Sequence, residues 1–195
     1  MAQLGFRIPR FDSYFIRTVA TRCEVLDPID VACLTSWRNK FNKSFLTEFT
    51  ATNDRTRRWL TDVVHTDDGR ILFMIEDECQ QQVGYMGLAY IDWNRSYVEA
   101  DAIVSGGETP KGMMAAALRM LLRWATGPLG LTEVAVRVLS DNPALVFYEK
   151  LGFNEIKRIP LKRVITGDVV SWIEDETLKN PERYLVHHLW SDNEN

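Results

Sequence analysis

The chain is poor in cysteine and histidine, has no long apolar run and carries no strong excess of either charge. Its three cysteines, Cys23, Cys33 and Cys79, are odd in number and widely spaced, which excludes a disulfide framework and a zinc pattern. The expected compartment is a reducing cytoplasm. His65, His187 and His188 show no ligand spacing with cysteine, so no metal is expected, and the last two fall in a strand-like run that suggests structural roles. No stretch approaches 18 uninterrupted apolar residues, so no transmembrane helix is expected. The opening MAQLGFRIPRF lacks the apolar core of a secretory signal. A net charge of −4 over 195 residues argues against a nucleic-acid-binding surface and against a polybasic membrane anchor. With no Ser/Gly-rich linker, charge block or repeat, one domain over residues 1–195 is the expectation.

What is present is an ordinary globular composition, 46% apolar and 26% charged, arranged in alternating strand-like and helix-like segments. Residues 14–22 read as a first strand, rich in β-branched and aromatic side chains. Asp27-Pro28 opens a helix to about Arg38, residues 39–50 read as a loop, and 53–64 as a second helix with Trp59, Leu60, Val63 and Val64 on its apolar side. Residues 71–76 and 83–92 read as antiparallel strands, followed by a strand at 97–104, a long helix at 111–126 and a strand at 133–139. The long helix is apolar over most of its circumference, with Arg119 and Arg123 marking a narrow polar stripe, so it should be buried against a sheet. Thr166-Gly167-Asp168, flanked by Val164-Ile165 and Val169-Val170, reads as a hairpin turn before a last strand at 184–189. That hairpin is open to three readings: a substrate wall, a homodimer contact or a solvated elaboration.

Two segments carry chemistry. The first is SDNPALVFYEKLGF, residues 140–153, read as strand end, loop, helix, tight turn and strand. Pro143 fits a first helical turn, Asp141 or Asn142 can cap it, and Gly152 sits where helices end in a left-handed residue. The second is VSGGETPKGMM, residues 104–114, a glycine-containing turn that feeds a helix N-terminus. Such turns present backbone N–H groups to anions.

In this order the two segments resemble the GNAT superfamily of acyl-CoA-dependent N-acyltransferases, with the resemblance specific over residues 97–159. It implies an α/β (α+β) fold, a mixed and mainly antiparallel sheet flanked by helices, with two central parallel strands splayed around the thioester of acetyl-CoA. By the resemblance, the 104–114 turn holds the pyrophosphate. Gly112 matches the first glycine of the family pattern, whereas Thr109 replaces its usual Gln or Arg and Met114 its second Gly or Ala. The implied cofactor contacts are Val104, Thr109, Lys111, Gly112 and Met114, mostly through backbone, and the Asn142 side chain toward the pantetheine arm. Tyr148 would be the general acid, since a phenol of pKa about 10 protonates a departing thiolate. Glu99 and Asp101, on one face of the 97–104 strand because they are two apart, are the candidate bases. Neither is required, because some relatives use no dedicated base.

The acceptor is a small-molecule primary amine in the leading reading. The run Trp37-Arg38-Asn39 followed by Phe41, Phe45 and Phe49 resembles bacterial relatives that acetylate an amino group of a nucleotide-linked sugar. Aromatics stack on a base or sugar, and arginine pairs with phosphate. Trp93 and Trp172 join the list of acceptor candidates. Other readings are acetylation of a protein N-terminus or lysine, acetylation of a polyamine, antibiotic or other small amine, and a non-catalytic acyl-CoA sensor.

Overall fold

The computed structural model describes residues 4–192. The chain divides into two compact units, residues 1–37 with 52–134, and residues 38–51 with 135–195. The fold is mixed α/β, with helices flanking strands that pair antiparallel in both units.

The first unit is built on β1 (Gly5–Ile8), β2 (Phe11–Thr18), β4 (Ile71–Asp77), β5 (Gln82–Asp92) and β6 (Tyr97–Ser105), adjacent in that order. The β1–β2 hairpin was not expected. It closes through Pro9 and Arg10, the latter at φ 68°, a geometry in which proline presets the first turn position. The strand expected at 14–22 is β2, which starts earlier, at Phe11, and ends at Thr18. Helix α1 (Pro28–Lys40) begins where Asp27 Oδ1 accepts the Ile29 N–H at 2.8 Å. Helix α2 (Asn53–Arg58) is capped by Thr52, whose hydroxyl accepts the Arg55 N–H, and then widens into a π-helical turn at Trp59–Val64. There the His65 N–H reaches back five residues to the Leu60 carbonyl, which rotates the face. Leu60 and Val64 are buried, whereas Val63 is exposed.

Helix α3 (Met113–Thr126) packs against β1 and β6. Met113, Ala117, Leu118, Leu121, Leu122 and Ala125 are buried, as the apolar circumference demands. Trp124 meets Phe6 and the edge of Phe73. A full Leu or Met side chain removed from water contributes about 1.5–3 kcal/mol, so α3 anchors this core.

The second unit orders its strands β7 (Glu133–Leu139), β10 (Arg183–Trp190), β8 (Phe153–Thr166), β9 (Val169–Glu174) and β3 (Thr47–Glu48). The hairpin expected at 166–168 is present, with Gly167 at φ 62°. It is the far end of one continuous 14-residue strand, not a separate insertion. β3 lies within the segment read as a loop and pairs with β9. Trp172 packs with Leu139, Leu161, Leu185 and Leu46.

Candidate functional site

The turn between β6 and α3 belongs to the first unit. The Gly106 and Gly107 N–H groups both donate to the Val83 carbonyl at 2.9 Å, and Met113 N–H donates to Pro110 O. Between them the N–H groups of Glu108, Thr109, Lys111 and Gly112 make no hydrogen bond within the described residues. Pro110 has no N–H. Gly112 caps α3 at φ 88°, in the left-handed region that side chains resist, and a Cβ built there meets nothing within 4 Å. A row of unpaired, solvated N–H groups at the start of a 14-residue helix fits a di-anionic group such as a pyrophosphate.

Met114, the departure from the family pattern, has a local reason. Its Sδ lies 3.4 Å from a Cβ built on Gly84, and that same Cβ would stand 2.5 Å from the Val104 carbonyl oxygen. Gly84 thus lets β5 approach Val104 closely and leaves room for the Met114 side chain. Trp37 supports the other end of the turn. It is 7% exposed, stacks on Tyr85 with centroids 5.9 Å apart, and closes over Gly106, where a Cβ would fall 1.9 Å from its Cε2.

On β6 the pairing with β5 slips between Tyr85 and Gly87, and Ala102 bulges out at φ 53°. Bulges of this kind re-aim neighbouring groups and recur beside active sites. Glu99 is 7% exposed, and its Oε1 accepts the Tyr97 hydroxyl at 2.7 Å. Asp101, the other candidate base, is held by Arg70 at 2.7 Å, which also reaches Asp67 at 3.3 Å. Trp93 is 55% exposed on the β5–β6 turn, which Asp92 pins by accepting the N–H groups of Asn94 and Arg95.

In the second unit Asn142 follows β7. Its Oδ1 accepts the Ala144 N–H at 2.9 Å, and its own N–H donates to Leu139 O. The amide NH2 makes no hydrogen bond within the described residues, which leaves it as a donor for a carbonyl. Asp141 does not cap: it pairs with Arg183 at 2.7 Å. Pro143 precedes the helix instead of entering it, because α4 is short (Leu145–Lys150) and Asn142 forms the turn into it. Tyr148 lies on α4, 7% exposed, edge-on to Phe147 and Phe153. Gly152 ends the turn at φ 94° as expected.

The residues expected to read a sugar nucleotide behave differently. Arg38 lies over the rings of Phe45 and Phe49, at 4.0 and 4.6 Å. It donates to Asn42 Oδ1 at 2.9 Å and to the Thr47 carbonyl and hydroxyl. Asn39 clamps Ala51 through both backbone groups, at 2.7 and 3.0 Å. Trp172 donates its indole N–H to Glu48 at 2.7 Å and is stacked by Arg183. A shallow cavity of about 330 Å³ opens on this loop, with Lys40, Lys43 and Glu48 among its lining residues.

His187 and His188 point to opposite faces of β10. His188 is 1% exposed, and its two ring nitrogens have no hydrogen-bond partner among the described residues. Burial, reinforced by Lys157 and Arg137, holds the His187 imidazole below its usual value. No group of three or more potential metal ligands occurs among the described residues. No helix among them is long and apolar enough to cross a membrane.

The sequence matches the acetyltransferase (GNAT) domain family over residues 25–154, a span that includes both candidate segments. No functionally curated protein matches it. Among solved structures, the spermidine N-acetyltransferase from Vibrio cholerae in complex with CoA and spermine aligns with a TM-score of 0.68 and 16% identity, covering 91% of this chain and 94% of that one. A mutant of the same enzyme aligns at 0.65 with 18% identity, covering 91% and 92%. A dodecameric structure of the Vibrio cholerae enzyme aligns at 0.63 with 16% identity, again over 91% and 92%.

Proposed function

The chain belongs to the GNAT acetyltransferase family, and from that premise we propose that it transfers an acetyl group from acetyl-CoA to a primary amine of a small polyamine-like acceptor. The observation that carries the cofactor assignment is the row of unpaired N–H groups at Glu108, Thr109, Lys111 and Gly112. In this reading they bind the pyrophosphate, with the first turn of α3 at Met114. Val104 on β6 and the Asn142 amide bind the pantetheine arm and its acyl end.

Glu99 takes the proton from the acceptor ammonium, and the neutral nitrogen then attacks the thioester carbonyl. The C–N bond forms and the C–S bond breaks. Tyr148 gives its phenolic proton to the departing thiolate and is restored by the proton lost from the new amide nitrogen. General acid–base help of this kind contributes about 10²–10⁴-fold.

Two things support a polyamine-like acceptor over a nucleotide-linked sugar. The structures named above are spermidine acetyltransferases. The Trp37-Arg38-Asn39 run, on which the sugar reading rested, is occupied within the protein: Trp37 under the cofactor turn, Arg38 between two phenylalanines, and Asn39 on Ala51. The cavity beside Lys40 and Lys43 is a poor place for a polycation, so this reading does not use it. Trp93, exposed and aromatic, remains an acceptor contact in this reading because its ring face attracts a cation.

The test is thiol release from acetyl-CoA across polyamines, basic N-terminal peptides, aminoglycosides and nucleotide-linked amino sugars, with wild type and Tyr148→Phe. Polyamine turnover that falls at least about tenfold in Tyr148→Phe, with acetyl-CoA binding retained, supports both parts. Acetyl-CoA binding without turnover of any amine would replace the enzyme with a sensor.

A further inference from the structure

Two glycines of the turn between β6 and α3 are needed for different reasons. Gly112 is left-handed and a Cβ there meets open space, so glycine serves the backbone. Gly106 lies outside the left-handed region, and its φ does not call for glycine. What excludes a side chain at 106 is one neighbour. A Cβ built there falls 1.9 Å from Cε2, 2.3 Å from Nε1 and 2.4 Å from Cδ2 of Trp37, and these are its three nearest atoms. At Gly107 a Cβ would be in ordinary contact with Val83, at 3.5 Å or more. The Trp37 indole therefore lies against the Gly106 backbone, where β6 gives way to the turn.

Trp37 is itself held. It shares the buried face of α1 with Asp30 and Leu34. Asp30 is 1% exposed and accepts two N–H groups of Arg17 on β2, each at 2.8 Å. It also accepts the Gln82 amide at 3.3 Å. Gln82 begins β5, and the next carbonyl, that of Val83, takes the N–H groups of Gly106 and Gly107. Two residues further on, Tyr85 stacks on the indole with 11° between the planes. Helix α1 and the turn are thus fixed to the same end of β5, and the contact of Trp37 with Gly106 joins them directly.

An anion site made of backbone N–H groups has no side chain to aim it. Its affinity depends on how firmly the backbone is held before the ligand arrives, because ordering a loose segment on binding subtracts from affinity.

We propose that Trp37 is the positioning residue of the cofactor site: its indole seats the turn at Gly106, so that the N–H groups that follow hold one arrangement before the pyrophosphate binds. The proposal rests on the reading of that turn as the pyrophosphate site. It adds to that reading a side chain that need not touch either substrate.

A double-mutant cycle tests it. Gly106→Ala drives a methyl group into the indole. Trp37→Leu keeps the site apolar and makes room for that methyl, and Trp37→Phe keeps an aromatic face. Acetyl-CoA affinity is measured by calorimetry for wild type, the three single variants and Trp37→Leu/Gly106→Ala. Thiol release with the amine that wild type acetylates fastest gives kcat and the KM for acetyl-CoA. Trp37→Leu and Gly106→Ala are each expected to weaken acetyl-CoA about tenfold in Kd and KM, with kcat at saturating acetyl-CoA kept, because the turn lies away from the reacting atoms. Trp37→Phe recovers most of the affinity. In the Trp37→Leu background Gly106→Ala adds less than about twofold, since its obstacle is gone. A fall in Tm is expected from any loss of a buried aromatic, and the split between KM and kcat separates seating from stability.

An unchanged Kd and KM in Trp37→Leu, with a lower Tm alone, would reduce Trp37 to packing and overturn the proposal. So would equal losses from Gly106→Ala in both backgrounds, or a loss confined to kcat. If Gly106→Ala does not fold, the affinities of Trp37→Leu and Trp37→Phe decide on the same terms. Absence of acetyl-CoA binding by wild type would remove the cofactor reading itself, and the seating role with it.

Discussion

The turn at 105–112 and the loop at 41–51 are similar in length, and both were read as binding segments, yet they handle their polar groups in opposite ways. The turn leaves four consecutive non-proline N–H groups unpaired and ends on a left-handed glycine that faces open space. The loop satisfies itself: Arg38, Asn39, Asn42, Thr47 and Glu48 bond to its own backbone or to neighbours in the second unit. A segment with unmet donors is prepared for a ligand. A segment whose donors and acceptors are closed on one another is a brace, whatever its composition suggests.

The largest effect expected from this contrast is at Arg38. Arg38→Ala removes two ring contacts and several hydrogen bonds at once, so stability should fall by about 2–3 kcal/mol, read by chemical denaturation. Arg38→Lys should recover little of it, because an ammonium reproduces neither the planar stack nor the fork. A stable Arg38→Ala protein with only a raised KM for an acceptor would make Arg38 a ligand contact and end the contrast.

An intermediate effect is expected in the turn. Gly112→Ala forces a side chain into the left-handed region, at a cost of about 1–2 kcal/mol, and should weaken acetyl-CoA binding measured by calorimetry. Thr109→Ala keeps the backbone N–H and should change that affinity less than about threefold. Comparable losses in the two variants would mean that side chains, not the backbone, hold the cofactor.

The smallest effect concerns pH. His187 on β10 is held below its usual value by burial and by Lys157 and Arg137. The unfolded chain therefore takes up the proton first. The stability it contributes is fully present above an unfolded pKa of about 6.5, begins to fall below it and is lost as pH drops through the lower folded value. His187→Gln should flatten the slope of stability between about pH 7 and pH 5, as followed by denaturation midpoints. An unchanged slope would place the titrating group elsewhere.

Much of the fold was legible because its strands alternate and its longest helix is apolar nearly all round. The strands at 83–92, 97–104 and 133–139 and the helix at 111–126 lie within two residues of their expected limits. What escaped depends on features without a period. The β1 strand is four residues beside a proline turn, β3 is two residues long, and the π turn at Trp59–Val64 breaks a pattern that reads as uniform helix.

The candidate site was legible in part for a related reason. Gly112, Asn142 and Tyr148 announce themselves through turn chemistry and helix spacing. Period-two spacing puts Tyr97 and Glu99 on one face of β6, but only the structure shows the hydroxyl donating to the carboxylate. The Trp37-Arg38-Asn39 run has the composition of a ligand site, and only the positions of Phe45, Phe49, Ala51 and Gly106 show that these side chains serve the protein itself. Composition tells which groups want partners and is silent on whether the chain supplies them.

The measurement that bears most directly on the central claim is acetyl-CoA-dependent thiol release with spermidine and, separately, with a nucleotide-linked amino sugar at equal concentration. Selective release with spermidine, lost in Tyr148→Phe, is the predicted result. Selective release with the sugar, or with neither while a basic N-terminal peptide is turned over, would contradict it.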